Sequence, residues 1–143
     1  MSKEKERTEQ MLKLFGEVEE IRVNGDYAAY VLKCKIKRIV EGSILNALDT
    51  LIFMVALSEQ DVSYIYLFNI GSKKNYNEEL LDVINQINDK LKYGKFVIDD
   101  SGDIYWTDVF DANSLSENEF RKRLLSCMGG LEEFVKKGKR IDG

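Results

Sequence analysis

The sequence predicts an α+β protein: an antiparallel sheet with helices on one side, in the order helix, four strands, helix, two strands, helix. Three observations carry that expectation. Runs of period-two hydrophobicity are joined by short turn-forming stretches. Two longer segments place apolar residues three and four apart, the spacing of a helix face. The two patterns come in blocks, without the strand–helix alternation of a doubly wound nucleotide-binding fold.

Residues 2–15 read as a charged helix. Met11, Leu12, Leu14 and Phe15 form an apolar patch at its end, and Gly16 is its expected stop. A strand follows at about Glu20–Asn24, and Asn24-Gly25 is a hairpin signal. From about Ala28 to Arg38 the chain alternates, with Tyr30, Leu32, Cys34 and Ile36 on one side and Val31, Lys33, Lys35 and Lys37 on the other. The stripe Lys33, Lys35, Lys37 reads as a solvated or edge-protecting face, or as a charged contact face for an acidic partner.

Two strands then differ from the first. Leu51–Leu57 and Val62–Ile70 are apolar on both parities. Strands of that kind are covered on both faces. Helices of the chain cover one face; the other requires more helices, a ligand or a second subunit. Ile52, Met54, Ile65 and Leu67 are the expected interface residues, and Met54 adds an adaptable thioether.

A second helix spans about residues 76–91, with Leu80, Leu81, Ile84, Ile87, Asn88 and Leu91 on one face and Tyr93-Gly94 closing it. Strands follow at about Lys95–Ile98 and Ile104–Asp108. The last helix, about Glu117–Lys136, has a full start signal: Ser116 as N-cap, Glu119 as its capping-box partner, and Leu115 with Phe120 as a staple. Gly129-Gly130 interrupts its apolar face, which signals close packing, a kink or a break. Residues 137–143 read as a lysine-rich tail.

The acidic stretch Asp99-Asp100-Ser101-Gly102-Asp103 could be a metal loop or a hairpin turn. It lacks the alternating ligands and distant glutamate of a calcium loop and lies between strands, so it reads as a turn. Asp99, Asp100, Asp103, Asp108 and Asp111 are the densest carboxylate group, yet paired carboxylates do acid–base work only where burial splits their pKa values. The 143-residue chain contains no histidine, which removes the commonest general base and most zinc sites. A formal charge of −4 does not favour nucleic acid. Cys34 and Cys127 read as reduced core thiols. No apolar run reaches the ~18 residues of a membrane span. The expectation is one cytoplasmic domain over residues 1–143, with no catalytic, cofactor-binding or metal-binding residues and no cofactor.

Residues 75–136 resemble the YbjN family of small bacterial proteins. The matching features are a helix with Asn85 and Asn88 three apart, then Tyr93-Gly94, a strand, an acidic glycine turn, a second strand and a final helix opening with "LSENEF". The resemblance implies a type III secretion chaperone-like fold, with helices on one side of a curved antiparallel sheet. It also implies a homodimeric regulator or sensor that binds other proteins rather than catalysing a reaction. Asn85 and Asn88 read as structural, bonding exposed backbone at the neighbouring strand or turn.

The expected function is thus a non-enzymatic protein-interaction module, chaperone- or regulator-like, whose partners are a second copy of itself and a protein or peptide segment. The alternatives are a sensory domain holding a small apolar ligand between sheet and helices, or a protein inhibitor of another enzyme.

Overall fold

The structure is a computed structural model that describes residues 3–24, 27–43, 45, 48–58, 63–71, 78–111 and 115–137. A helix α1 (Lys3–Leu12) leads into four strands: β1 (Gly16–Asn24), β2 (Tyr27–Lys35), β3 (Thr50–Ser58) and β4 (Ser63–Gly71). Helix α2 (Glu78–Lys90), strands β5 (Lys95–Ile98) and β6 (Ile104–Phe110), and helix α3 (Glu117–Lys136) complete the chain. The strands form one six-stranded antiparallel sheet in the order β1-β2-β3-β4-β6-β5. The α+β class and the element order are those expected from the sequence.

Boundaries moved where local chemistry decided them. The first helix ends at Leu12, and Gly16 opens β1 instead of merely stopping the helix. A Cβ on Gly16 would lie 1.9 Å from the Lys33 carbonyl oxygen, so only glycine lets the two strand backbones approach there. Strand β2 ends at Lys35, and Ile36–Arg38 form one turn of 3-10 helix. Asn24 pairs with Tyr27, as a tight hairpin requires; Gly25 and Asp26 lie outside the described residues.

Alternation decides which face of the sheet is covered. Tyr30, Leu32 and Cys34 of β2, Phe53 and Val55 of β3, and Ile65 and Leu67 of β4 all lie on one face and are buried. Ile104 and Trp106 of β6 and Phe96 of β5 continue that face to the far edge. The helices supply the matching apolar stripes: Leu12 and the adjoining Phe15, then Leu80, Ile84 and Ile87 of α2, and Phe120, Leu124, Leu131 and Phe134 of α3. Each fully buried side chain of this size contributes about 1.5–3 kcal/mol, so this one face accounts for much of the driving force. Phe15 and Phe120 meet with ring centroids 5.3 Å apart and fasten the end of α1 to the first turn of α3. Trp106 sets its edge on Phe53 at 6.3 Å in the middle of the sheet.

Helix α3 runs unbroken through Gly129-Gly130. Close packing explains the second of these: a Cβ on Gly130 would lie 2.5 Å from the Phe96 ring. At the start of α3 the Ser116 hydroxyl accepts from the Glu119 N–H at 3.1 Å, and Leu115 and Phe120 are both buried. No helix among the described residues is long and apolar enough to cross a membrane.

Candidate interaction face and groove

Among the described residues no helix covers the second face of the sheet, whose side chains are those of the other parity. Ile52 is 55 % exposed, and Val31, Met54, Tyr64, Tyr66 and Tyr105 are half-buried. The tyrosines partly cover one another. Tyr64 and Tyr66 stack with centroids 5.9 Å apart and planes 13° from parallel, and Tyr66 meets Tyr105 edge-on at 6.1 Å. Val109 of β6, 51 % exposed, extends the patch. A contiguous apolar and aromatic surface of this kind is what interaction sites present.

The expected interface quartet is therefore split. Ile52 and Met54 lie on the open face. Ile65 and Leu67 are 0 % and 3 % exposed and belong to the helix-covered core, so they are corrected to core residues. Their places on the open side are taken by Tyr64 and Tyr66, which the sequence reading passed over. The usable signal was chemical. In the middle of β4 one parity carries Tyr64 and Tyr66, whose hydroxyls seek water, and the other carries the aliphatic Ile65 and Leu67.

The lysine stripe is broken as well. Lys33 is exposed on the open face, opposite Ile52 in the strand register. Lys35 is engaged by Asp49 at 3.0 Å. Hydrogen bonds from Lys35 and Thr50 hold the Asp49 carboxyl below its usual pKa. Lys37 lies in the 3-10 turn, after the chain has left the sheet, beside the buried Ile36. Lys33, Lys35 and Lys37 do not form one contact face.

The acidic stretch is a hairpin turn. The Asp99 side chain accepts from the Ser101 and Asp103 N–H groups at 2.9 and 3.0 Å, and the Gly102 N–H donates to the Asp99 carbonyl at 2.9 Å. Gly102 has a φ of 84°, the left-handed conformation that closes such a turn. The carboxylate group does not assemble. Asp99, Asp100, Asp103 and Asp111 are exposed, while Asp108 points under α3 to meet Arg123 at 2.9 Å. Burial raises the Asp108 pKa above the ordinary carboxylate value, and the Arg123 guanidinium only partly offsets it. Arg123 also lies 4.8 Å over the Tyr93 ring. No group of three or more potential metal ligands occurs among the described residues.

On the opposite side of the molecule, α2, the link to β5 and α3 enclose an open groove of about 470 Å³. Ile87, Leu91 and Tyr93 form one wall, and Leu125, Gly129 and Gly130 of α3 form the other. The link is pinned to α3 by Ser126, whose hydroxyl donates to the Tyr93 carbonyl at 2.9 Å and accepts from the Tyr93 N–H at 3.2 Å. This groove lies between α2 and α3, whereas the alternative reading of a sensory domain placed a ligand between sheet and helices.

Residues 30–132 match the YbjN family, whose description reads "Putative bacterial sensory transduction regulator". No curated protein and no solved structure matches the chain. The match starts on β2 and takes in β3 and β4, well before the segment from residue 75 whose motifs resemble the family. It ends inside α3, past Gly129-Gly130. Spanning the open face, the helix-covered core and the groove alike, that match makes this chain a member of the YbjN family.

Proposed function

We propose that the protein is a non-enzymatic regulator acting through protein contact, and that a second copy of the chain packs face to face on the open side of its sheet. One observation carries this reading. The strand register lines up a single row across all six strands: Glu19, Val31, Met54, Tyr66, Thr107 and Lys95. The row has an acid at one end, a base at the other, and Val31, Met54 and Tyr66 with Thr107 between.

Such a row complements itself. A two-fold axis parallel to the strands, passing between Met54 and Tyr66, sets Glu19 of each copy over Lys95 of the other. An axis across the strands would instead set acid on acid. Sheets stacked this way cross at about −30° because each is twisted, so the edge charges select orientation more than they add affinity. Affinity comes from burying the tyrosines and Met54. The regulator description of the family supports a role through contact, and the same face could then exchange its own copy for another protein.

The test is solution mass by light scattering. Wild type is expected as a dimer, and Met54→Asp as a folded monomer, because Met54 is on the open face. Ile65→Asp is expected to unfold, because Ile65 is core. Lys95→Glu should weaken the dimer, and adding Glu19→Lys should restore it. A wild-type monomer at all accessible concentrations, or a Met54→Asp dimer of unchanged strength, overturns the proposal.

A further inference from the structure

Gly129 has no structural reason to be glycine. It lies in the interior of α3, where glycine is the costliest residue after proline. Its neighbour Gly130 must be small, because the Phe96 ring leaves no room for a Cβ. A Cβ on Gly129 would meet nothing within 4 Å, and Gly129 is exposed. What the missing side chain does is keep the groove between α2 and α3 open.

The chemistry around that opening is uneven. The walls are apolar, with Ile87, Leu91, Tyr93 and Leu125 facing it. The rim carries Lys90, Lys92 and Lys122, although the chain as a whole has a formal charge of −4. Lys122 is held by Glu119 at 3.3 Å. Lys90 and Lys92 form no ion pair with any described residue. Glu133, the one acid among the described residues of the rim, is engaged by Lys136 at 3.7 Å. Along α3, Lys122, Leu125, Gly129 and Glu133 recur at three- and four-residue spacing, so the groove follows one face of the helix for about three turns. An apolar trough of this volume with a few convergent charges is the usual form of a small-molecule site.

We infer that this groove binds a small amphipathic anion, with an apolar body lying over Gly129 and a single carboxylate or similar head between Lys90 and Lys92. The site lies on the helix side of the molecule and does not depend on how the sheet face is used. Burial of the apolar body supplies the affinity, and Lys90 and Lys92 supply the preference for negative charge.

Isothermal titration with decanoate tests this on the full chain, with decanol and decyltrimethylammonium as neutral and cationic counterparts of the same apolar length. Decanoate is expected to bind one per chain, about tenfold or more tighter than either counterpart. Gly129→Phe fills the trough and should abolish that binding, while its melting temperature stays equal or rises. Lys90→Glu with Lys92→Glu should remove the preference for the anion. Met54→Asp should bind decanoate as wild type does, which separates the groove from adsorption on the sheet face. Binding that survives Gly129→Phe, equal binding of decanol and decanoate, or no binding of decanoate overturns the inference.

Discussion

Asn88 of α2 holds both backbone groups of Phe96: its Nδ2 donates to the Phe96 carbonyl at 2.9 Å, and its Oδ1 accepts from the Phe96 N–H at 2.8 Å. Phe96 lies on β5, an outer strand of the sheet, and has β6 on one side only. The primary amide replaces the missing strand with one donor and one acceptor, which closes part of the edge to further strand pairing. Asn88→Leu should therefore cost about 2–3 kcal/mol in urea denaturation, since it strands a half-buried N–H and C=O together. Hydrogen exchange at the Phe96 amide should quicken in the same variant. Asn85 is exposed and makes no such bond to any described residue.

The paired glycines of α3 should respond to substitution with opposite signs. Gly129→Ala should stabilise the protein by roughly 0.5–1 kcal/mol, the helix-propensity difference, because it meets no neighbour. Gly130→Ala should destabilise it by about 1–3 kcal/mol, because the methyl group collides with the Phe96 ring in a packed core. Thermal melts of the two variants check the pair directly.

Asp108 and Arg123 form a partly buried ion pair whose facing atoms, Oδ2 and Nε, have no hydrogen bond to any other described group, and Arg123 also meets the Glu119 carboxylate at 3.6 Å through Nη1. The pKa of Asp108 is raised by burial, so the folded form holds a proton more tightly than the unfolded chain. Stability from this group is thus greatest at acid pH and falls as pH rises from the ordinary carboxylate range through the folded pKa. Asp108→Asn removes that step in a stability-versus-pH curve. At neutral pH it should change stability little, because burial already disfavours the ionised carboxylate and Arg123 keeps the Glu119 carboxylate at 3.6 Å. The double variant Asp108→Leu with Arg123→Met should be at least as stable as wild type, since an apolar pair avoids desolvating two charges.

Both cysteines should be inert in the native protein. Cys34 and Cys127 are free and buried. Burial pushes the Cys34 thiol up to about 12 and the Cys127 thiol well above its usual value. The reactive thiolate is therefore scarce at neutral pH. A thiol reagent should label neither residue within the native lifetime and both in denaturant. Labelling that tracks unfolding would also measure how often the core opens.

Local chemistry made most of this fold readable in advance. The capping box at Ser116 and Glu119, the turn at Asp99–Asp103 and the three–four spacing of α2 each involve residues close along the chain, so their pattern survives in one dimension. The YbjN relationship was readable from the second half because its features are of this local kind.

Three matters needed the folded chain. The faces of β3 and β4 are apolar on both parities, so hydrophobic alternation does not say which side the helices take, and only the Tyr64 and Tyr66 hydroxyls of β4 point to it. Pairing Ile65 with Val55 and Tyr66 with Met54 resolves it, and it sends Ile65 and Leu67 inward. The lysine stripe ended early because β2 stops at Lys35 and the chain turns through a 3-10 helix over Ile36–Arg38, which takes Lys37 off the sheet. The glycine pair read as one feature in sequence and became two in space. Phe96, thirty-four residues before Gly130, crowds one glycine, and an open groove faces the other. Side-chain type and spacing set the elements of this protein, because hydrogen bonding and turn chemistry act over a few residues. Which apolar side became core and which stayed open was set by packing between distant segments, because contact between them exists only after the chain has folded.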